Sequence, residues 1–192
     1  MIRSEIPDIK TEALKYTTYL LLQGPKGFFF YKLGKFLKSI GKRVYKINFN
    51  GGDLITYPSL KDSYNFRDKI EKFEDYLRGF IVSKGVDVVF LYGDYKTYHR
   101  IAVNLCKKIN LPVYIFEEGY IRPDYITLEK EGINAWSSLS KDPDFYMNLP
   151  EIKNFNAVKA NSSYVKKTFS RVIHYLSLEL LRWYFPHYVP TK

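Results

Sequence analysis

Val86-Asp87-Val88-Val89-Phe90-Leu91-Tyr92-Gly93-Asp94 is the stretch that decides the fold. From Val86 to Tyr92 it is almost wholly apolar. A strand with no polar face must be covered on both sides, which is the situation of a parallel sheet flanked by helices. Gly93-Asp94 closes it with a sharp turn. Outward in both directions the pattern repeats. Tyr16–Gln23 and Val44–Phe49 read as buried strands upstream, and Pro112–Phe116 as another downstream. Between them lie helical periodicities over Gly27–Ile40, Phe66–Ser83 and Tyr98–Ile109, the first two closed by Gly41 and Gly85 in the usual C-terminal cap position. Alternating strands and helices predict an α/β, Rossmann-like parallel sheet, whose ligands collect beyond the carboxyl ends of the strands.

Polar loops stand at four of those ends: Gln23-Gly24-Pro25, Asn50 to Asp53, Gly93-Asp94 and Glu117 to Pro123. Glu117-Glu118-Gly119-Tyr120-Ile121-Arg122-Pro123 pairs two carboxylates with a glycine turn and an arginine, an acid/base candidate beside an anion anchor. In a strand Glu117 and Glu118 point to opposite faces, so one of them faces the cleft. The alternative is a solvated loop with an arginine–glutamate ion pair. Gly51 and Gly52 suit a backbone cradle for phosphate or hydroxyl, with Asp53 accepting from a sugar hydroxyl, although Asn-Gly also makes ordinary turns. Gln23-Gly24-Pro25-Lys26-Gly27 before a helix resembles an anion-binding strand–turn–helix, with neither dinucleotide-fingerprint nor Walker spacing. Asp94 and His99 offer a carboxylate and an imidazole, or Asp94 simply caps the helix that follows. His174 and His187 lack partners at metal-ligand spacing, so neither a metal nor a cofactor is expected.

The 192 residues hold 46% hydrophobic and 26% charged side chains, enough apolar material for one packed domain. Lys and Arg outnumber Asp and Glu by 30 to 20, a formal net charge of +10, which attracts anions in general. The basic residues are scattered rather than clustered in an arginine-rich arm, so nucleic acid is not an expected partner. The single cysteine, Cys106, sits on the apolar side of a helix and reads as a buried structural thiol. The N-terminus has no apolar signal core, and no run approaches the roughly 20 residues that span a bilayer. These features give a cytoplasmic chain touching membrane only at its surface. Residues 1–15 read as an N-terminal extension and 16–150 as the Rossmann-like domain. Residues 151–192 read as a linker with an aromatic helix from Tyr164 to Phe185, whose broad apolar side has nothing after it for cover.

LLLQGPKGFFFYKLGKFL, KINFNGGD, the strand ending at Gly93-Asp94 with His99, and FEEGYIRPDYITLEKEGINAWSSLSKDPDFY occur in that order. Together they resemble the capsular polysaccharide biosynthesis/export family, and within it the single-module β-Kdo transferases that start the poly-Kdo linker. The resemblance implies a retaining transferase of two Rossmann domains (GT-B architecture). It also implies CMP-Kdo as donor, a phosphatidylglycerol-type anionic phospholipid as acceptor, the cytoplasmic surface of the inner membrane as workplace, and a capsule biosynthesis/export complex as company. The family pattern runs well beyond Lys192, through blocks with a catalytic aspartate and a nucleotide-binding loop, so this chain matches the acceptor-side half. On that basis Glu118, Glu117 and Asp94 are the catalytic candidates. Arg122, Asp53, Gly51, Gly52, His99, Gln23 and Gly24 are the substrate-binding ones. A non-catalytic module for anionic lipid or glycan is the other reading that the basic, aromatic composition supports.

Overall fold

The computed structural model describes residues 9–59, 61–119, 125–148 and 164–190. Six strands form one sheet in the order β3-β2-β1-β4-β5-β6. They are β1 (Thr18–Leu21), β2 (Arg43–Asn48), β3 (Ser63–Asn65), β4 (Val88–Tyr92), β5 (Val113–Glu118) and β6 (Ile126–Lys130). The first five run parallel and β6 returns antiparallel to β5. The order reverses between β1 and β4, which places the topological switch point there.

The buried strands divide their side chains between two cores. Leu20, Ile47, Val89, Leu91, Val113 and Ile115 pack on one face against α4 (Phe73–Lys84) and α5 (Thr97–Lys108). Tyr19, Leu21, Val44, Val88, Phe90 and Tyr114 pack on the other, against α2 (Phe29–Ser39) and α1 (Ile9–Leu14). The apolar run that announced a doubly covered strand is doubly covered. Fully burying each Leu, Ile, Val or Phe stabilises by roughly 1.5–3 kcal/mol. Gly41 takes φ 79° just past α2, where its N–H and that of Lys42 reach back to the Lys38 and Leu37 carbonyls at 3.1 and 3.0 Å. This is the left-handed closure that its position in the sequence predicts.

Several elements depart from the sequence reading. Residues 50–53, expected as a turn, start a short helix, α3 (Gly51–Thr56). Asn50 Oδ1 accepts from the Asp53 N–H at 2.9 Å and Asp53 Oδ2 accepts from the Phe49 N–H at 3.1 Å, so the two side chains cap that helix reciprocally. Glu117 and Glu118, expected in a loop, lie inside β5 and pair with Thr127 and Ile126 of β6. Helix α4 begins at Phe73, and Phe66 ahead of it is a buried core residue. A short helix, α6 (Pro143–Met147), capped by the Asp142 side chain, is an element that the strand and helix pattern of the sequence did not include. The N-terminal α1 is tied to the sheet: Ala13 is buried, its carbonyl accepts from Tyr19 Oη at 3.1 Å, and Lys130 Nζ donates to Glu12 Oε1 at 2.9 Å.

The last long helix, α7 (Tyr164–Leu180), lies across the carboxyl end of the sheet against α3. It turns a small and polar stripe inward: His174 and Ser177 are buried and Ser170 is half-buried. Its apolar residues face out, with Phe169 66%, Leu176 66% and Leu180 75% exposed, followed by Trp183 at 74%. No helix among the described residues is long and apolar enough to cross a membrane.

Candidate functional site

The loops after β1, β2 and β4 and the end of β5 meet at the switch point. Tyr92 N–H donates to the Gln23 carbonyl at 3.2 Å and Gly93 N–H to the Phe116 carbonyl at 2.8 Å, so these loops are held in register with the strands they leave. The Gln23 side chain is buried, and the Tyr188 hydroxyl lies against it and against Asn50. Gly24 lies close against the Phe30 ring, which would have to give by a few tenths of an ångström for a Cβ standing 3.0 Å from it. Its carbonyl accepts from Lys96 Nζ at 3.4 Å.

Gly51 and Gly52 are not an open cradle, because α7 fills the space where a ligand would bind. A Cβ at Gly51 would overlap the Ser177 carbonyl oxygen, and one at Gly52 would stand 2.5 Å from His174 Nε2. These glycines let two helices approach closely. Asp53 is buried beneath them at 3% exposure, its carboxylate facing Lys46, Lys96 and His174.

Asp94 does not cap α5. That helix starts from Lys96 without a side-chain cap, while Asp94 Oδ2 accepts from the Ile133 N–H at 3.1 Å. The carboxylate thereby clips the β4–α5 loop to the segment after β6. His99 is completely buried, its Nδ1 2.6 Å from the Gly93 carbonyl. Since a carbonyl only accepts, that nitrogen carries the proton and Nε2 is a bare acceptor, left without a partner. Burial, with Lys96 and Lys46 adding repulsion, holds this imidazole well below its ordinary pKa, hence neutral.

Of the two glutamates, Glu117 is half-buried and faces Tyr95 and Lys96. Glu118 is exposed on the opposite side of β5. Arg122 lies outside the described residues. The switch point therefore collects Gln23, Gly24, Asp53 and Glu117, with His99 beneath them. It leaves Asp94 engaged with Ile133 and Glu118 facing away.

Sequence reasoning did not find the lysines. Lys46, on β2, is 2% exposed and donates to the Ile47 carbonyl at 2.6 Å; desolvation pulls its pKa down to about 8, against the pull of Asp53. Lys96 is likewise brought down to about 8, by burial first and by Lys46 and Lys26 besides. Lys26, exposed in the β1–α2 loop, hydrogen-bonds Tyr175 Oη and lies 4.3 Å over that ring. A lysine inside a strand of buried neighbours, as at Lys46, was the available signal. A cavity of about 530 Å³ lined by Asn65, Arg67, Asp68 and Tyr76 opens near the start of α4, beside β3 and away from these groups. Among the described residues no group of three metal-ligating side chains converges.

A parallel sheet of this order, with charged and polar side chains gathered at its switch point, defines a ligand-binding domain of the Rossmann type. The profile of the capsule polysaccharide biosynthesis protein family matches residues 87–191, from the start of β4 to beyond α7. The chain belongs to that family. It is 34% identical over 180 residues to the capsule polysaccharide export protein KpsS of Escherichia coli, an alignment covering 94% of this chain and 45% of that relative. It is 42% identical over 129 residues to the capsule polysaccharide modification protein LipB of Neisseria meningitidis, covering 67% of this chain and 31% of LipB. The chain thus spans less than half the length of the curated relatives it matches.

Proposed function

We propose that this chain is the acceptor-side domain of a β-Kdo transferase in capsule polysaccharide biosynthesis and export, moving Kdo from CMP-Kdo to a phosphatidylglycerol-type lipid at the inner face of the membrane. The observation that carries the reading is family membership, with an alignment to a capsule export protein along nearly the whole chain. The switch-point geometry supports it. Glu117 is the carboxylate best placed to exchange a proton with an acceptor hydroxyl, because it faces the cleft. Gln23 and Gly24 would orient that acceptor, with the Asp53 carboxylate and the neutral His99 imidazole buried behind them. In this reading the Arg122 guanidinium holds an anionic group. Glu118 and Asp94 serve as supports rather than proton carriers. The donor nucleotide would be held by a second domain in the part of such a protein beyond these residues.

The test is transfer from CMP-Kdo to a short-chain phosphatidylglycerol, with and without a separately expressed C-terminal half of a relative. Transfer only with the added half is the expected result. Silence in both arms would sink the reading.

One observation favours the second reading, a non-catalytic module for anionic lipid. Helix α7 exposes Phe169, Val172, Leu176 and Leu180 beside Arg171 and Arg182, a face suited to an anionic interface. Co-sedimentation with phosphatidylglycerol vesicles, lost at high salt, would support it. Indifference to vesicle charge would remove it.

A further inference from the structure

We propose that Lys26 and Lys96, backed by Lys46, form an anion-binding site at the β1/β4 switch point that takes one carboxylate or phosphate group. Three ammonium groups from three separate elements converge there: Lys26 from the β1–α2 loop, Lys46 from β2 and Lys96 from the loop before α5. Lys46 and Lys26 both raise the electrostatic cost of the charge on Lys96, and none of the three makes an ion pair with a described carboxylate. Their nearby counter-charges are Asp53, already engaged by the Phe49 N–H, and Glu117 at the rim. His174 is neutral, because burial pushes its pKa down; Asp53 pulls it the other way, and Lys96, Lys26 and Lys46 oppose that pull. Positive charge therefore prevails, and an incoming anion relieves the repulsion where a neutral sugar does not.

The donors are also free to serve. A lysine ammonium carries three N–H groups. Lys96 uses one, on the Gly24 carbonyl at 3.4 Å, and Lys26 one, on Tyr175. One deeply buried side chain beside them holds a polar atom without a partner: His174 Nδ1, on a residue 4% exposed. Buried polar groups are rarely left unpaired without a reason, and a bound ligand is a common one. Gly24, Lys26, Lys96 and the half-buried Glu117 leave the rim open to solvent, while Tyr175 and Tyr188 stand over it.

The site rests on the transferase reading only in naming what it serves, the anionic group of the acceptor, and its test needs no transfer. The chain is titrated with sn-glycerol 3-phosphate, with gluconate and with neutral glucose, all against chloride at equal ionic strength, following Tm and calorimetric binding. Glycerol phosphate or gluconate is expected to bind and raise Tm, and glucose is not. A phosphate preference points to a lipid headgroup, a carboxylate preference to a sugar acid. Lys96→Gln and Lys26→Gln are each expected to weaken binding about tenfold or more, the usual scale of a charge-assisted hydrogen bond, and Lys96→Arg to retain most of it. Lys26 is exposed, so its variant folds even if that of Lys96 does not. Binding unchanged in Lys26→Gln, or an anion response no larger than that of chloride, would overturn the site. Transfer without anion binding would leave the transferase reading standing, and anion binding without transfer would do the reverse.

Discussion

His174 lies directly on Gly52: a Cβ at that glycine would stand 2.5 Å from the imidazole Nε2. The neighbouring Gly51 meets the backbone of α7 itself, where a Cβ would overlap the Ser177 carbonyl oxygen. The seat of α7 is thus formed by two missing side chains.

Gly52→Ala is expected to destabilise the fold by about 1–3 kcal/mol, the usual scale for overpacking. Gly51→Ala is expected to cost more, because backbone cannot swing aside as a ring can. Denaturant unfolding measures both. Hydrogen exchange should show faster opening of α7 amides before those of β1 and β4. In a double-mutant cycle, His174→Ala should recover part of the Gly52→Ala loss and little of that of Gly51→Ala. Additive losses at positions 52 and 174 would contradict the contact.

Asp94 separates a structural duty from a chemical one. Its Oδ2 holds the Ile133 N–H at 3.1 Å, both residues being buried. Asp94→Ala leaves that donor unpaired, at a cost of about 1–3 kcal/mol. Asp94→Asn keeps an oxygen acceptor and should unfold near the wild-type midpoint. Transfer, assayed with the partner half, should survive in Asp94→Asn. An intact fold with transfer abolished would return Asp94 to the catalytic candidates.

Much of this arrangement was legible beforehand, and the reasons are local. Val88–Leu91 and Val113–Phe116 are apolar on both faces, so their burial between helix layers follows from composition alone. Gly93-Asp94 marked where the first of them stops, whereas the second runs on through Glu117 and Glu118 because β6 pairs with both. The strands that escaped notice are edges: Ser63-Tyr64-Asn65 is only three residues long, and Ile126–Lys130 is half-buried with a mixed pattern. Helix α3 begins with two glycines, the poorest helix formers short of proline, and is held by its caps and by α7 rather than by propensity. Lys46 and Lys96 were hidden because a lysine reads as solvated until tertiary packing buries it.

Two buried imidazoles set an acid limit. The unfolded chain takes up protons at His99 and His174 near pH 6.5, while burial makes the folded chain refuse them. Below about pH 6.5 the unfolded state therefore binds more protons, and stability must fall with pH, by up to about 1.4 kcal/mol per unit for each histidine. Glu12 and Asp68, whose pKa values are lowered by Lys130 and by the Lys69 N–H respectively, act only below the ordinary carboxylate range and leave this window clear. His99→Gln, which keeps a donor for the Gly93 carbonyl, should flatten the curve between pH 5 and 6.5. An unaltered slope in that variant would show that His99 titrates normally in the fold.

Lys46 makes the opposite prediction at alkaline pH. Its folded pKa of about 8 lies below the ordinary 10.5 because its ammonium is desolvated on the α2 side of the sheet. Between these values the unfolded chain holds a proton that the folded chain has released, so this group makes stability rise with pH. Lys96, also near 8, adds to the rise, whereas the Cys106 thiol, pushed by burial up to about 12, opposes it above pH 9. The clean interval is therefore pH 8 to 9. Lys46→Met fills a similar volume without the charge and should reduce the slope there while raising stability at pH 7. Asp53 limits that gain, because it loses a neighbouring cation; the Phe49 N–H continues to hold its carboxylate. Urea midpoints at pH 7, 8 and 9 for wild type and Lys46→Met measure both effects. A variant less stable at pH 7 with an unchanged slope would mean that the Lys46–Asp53 attraction outweighs the desolvation of the ammonium.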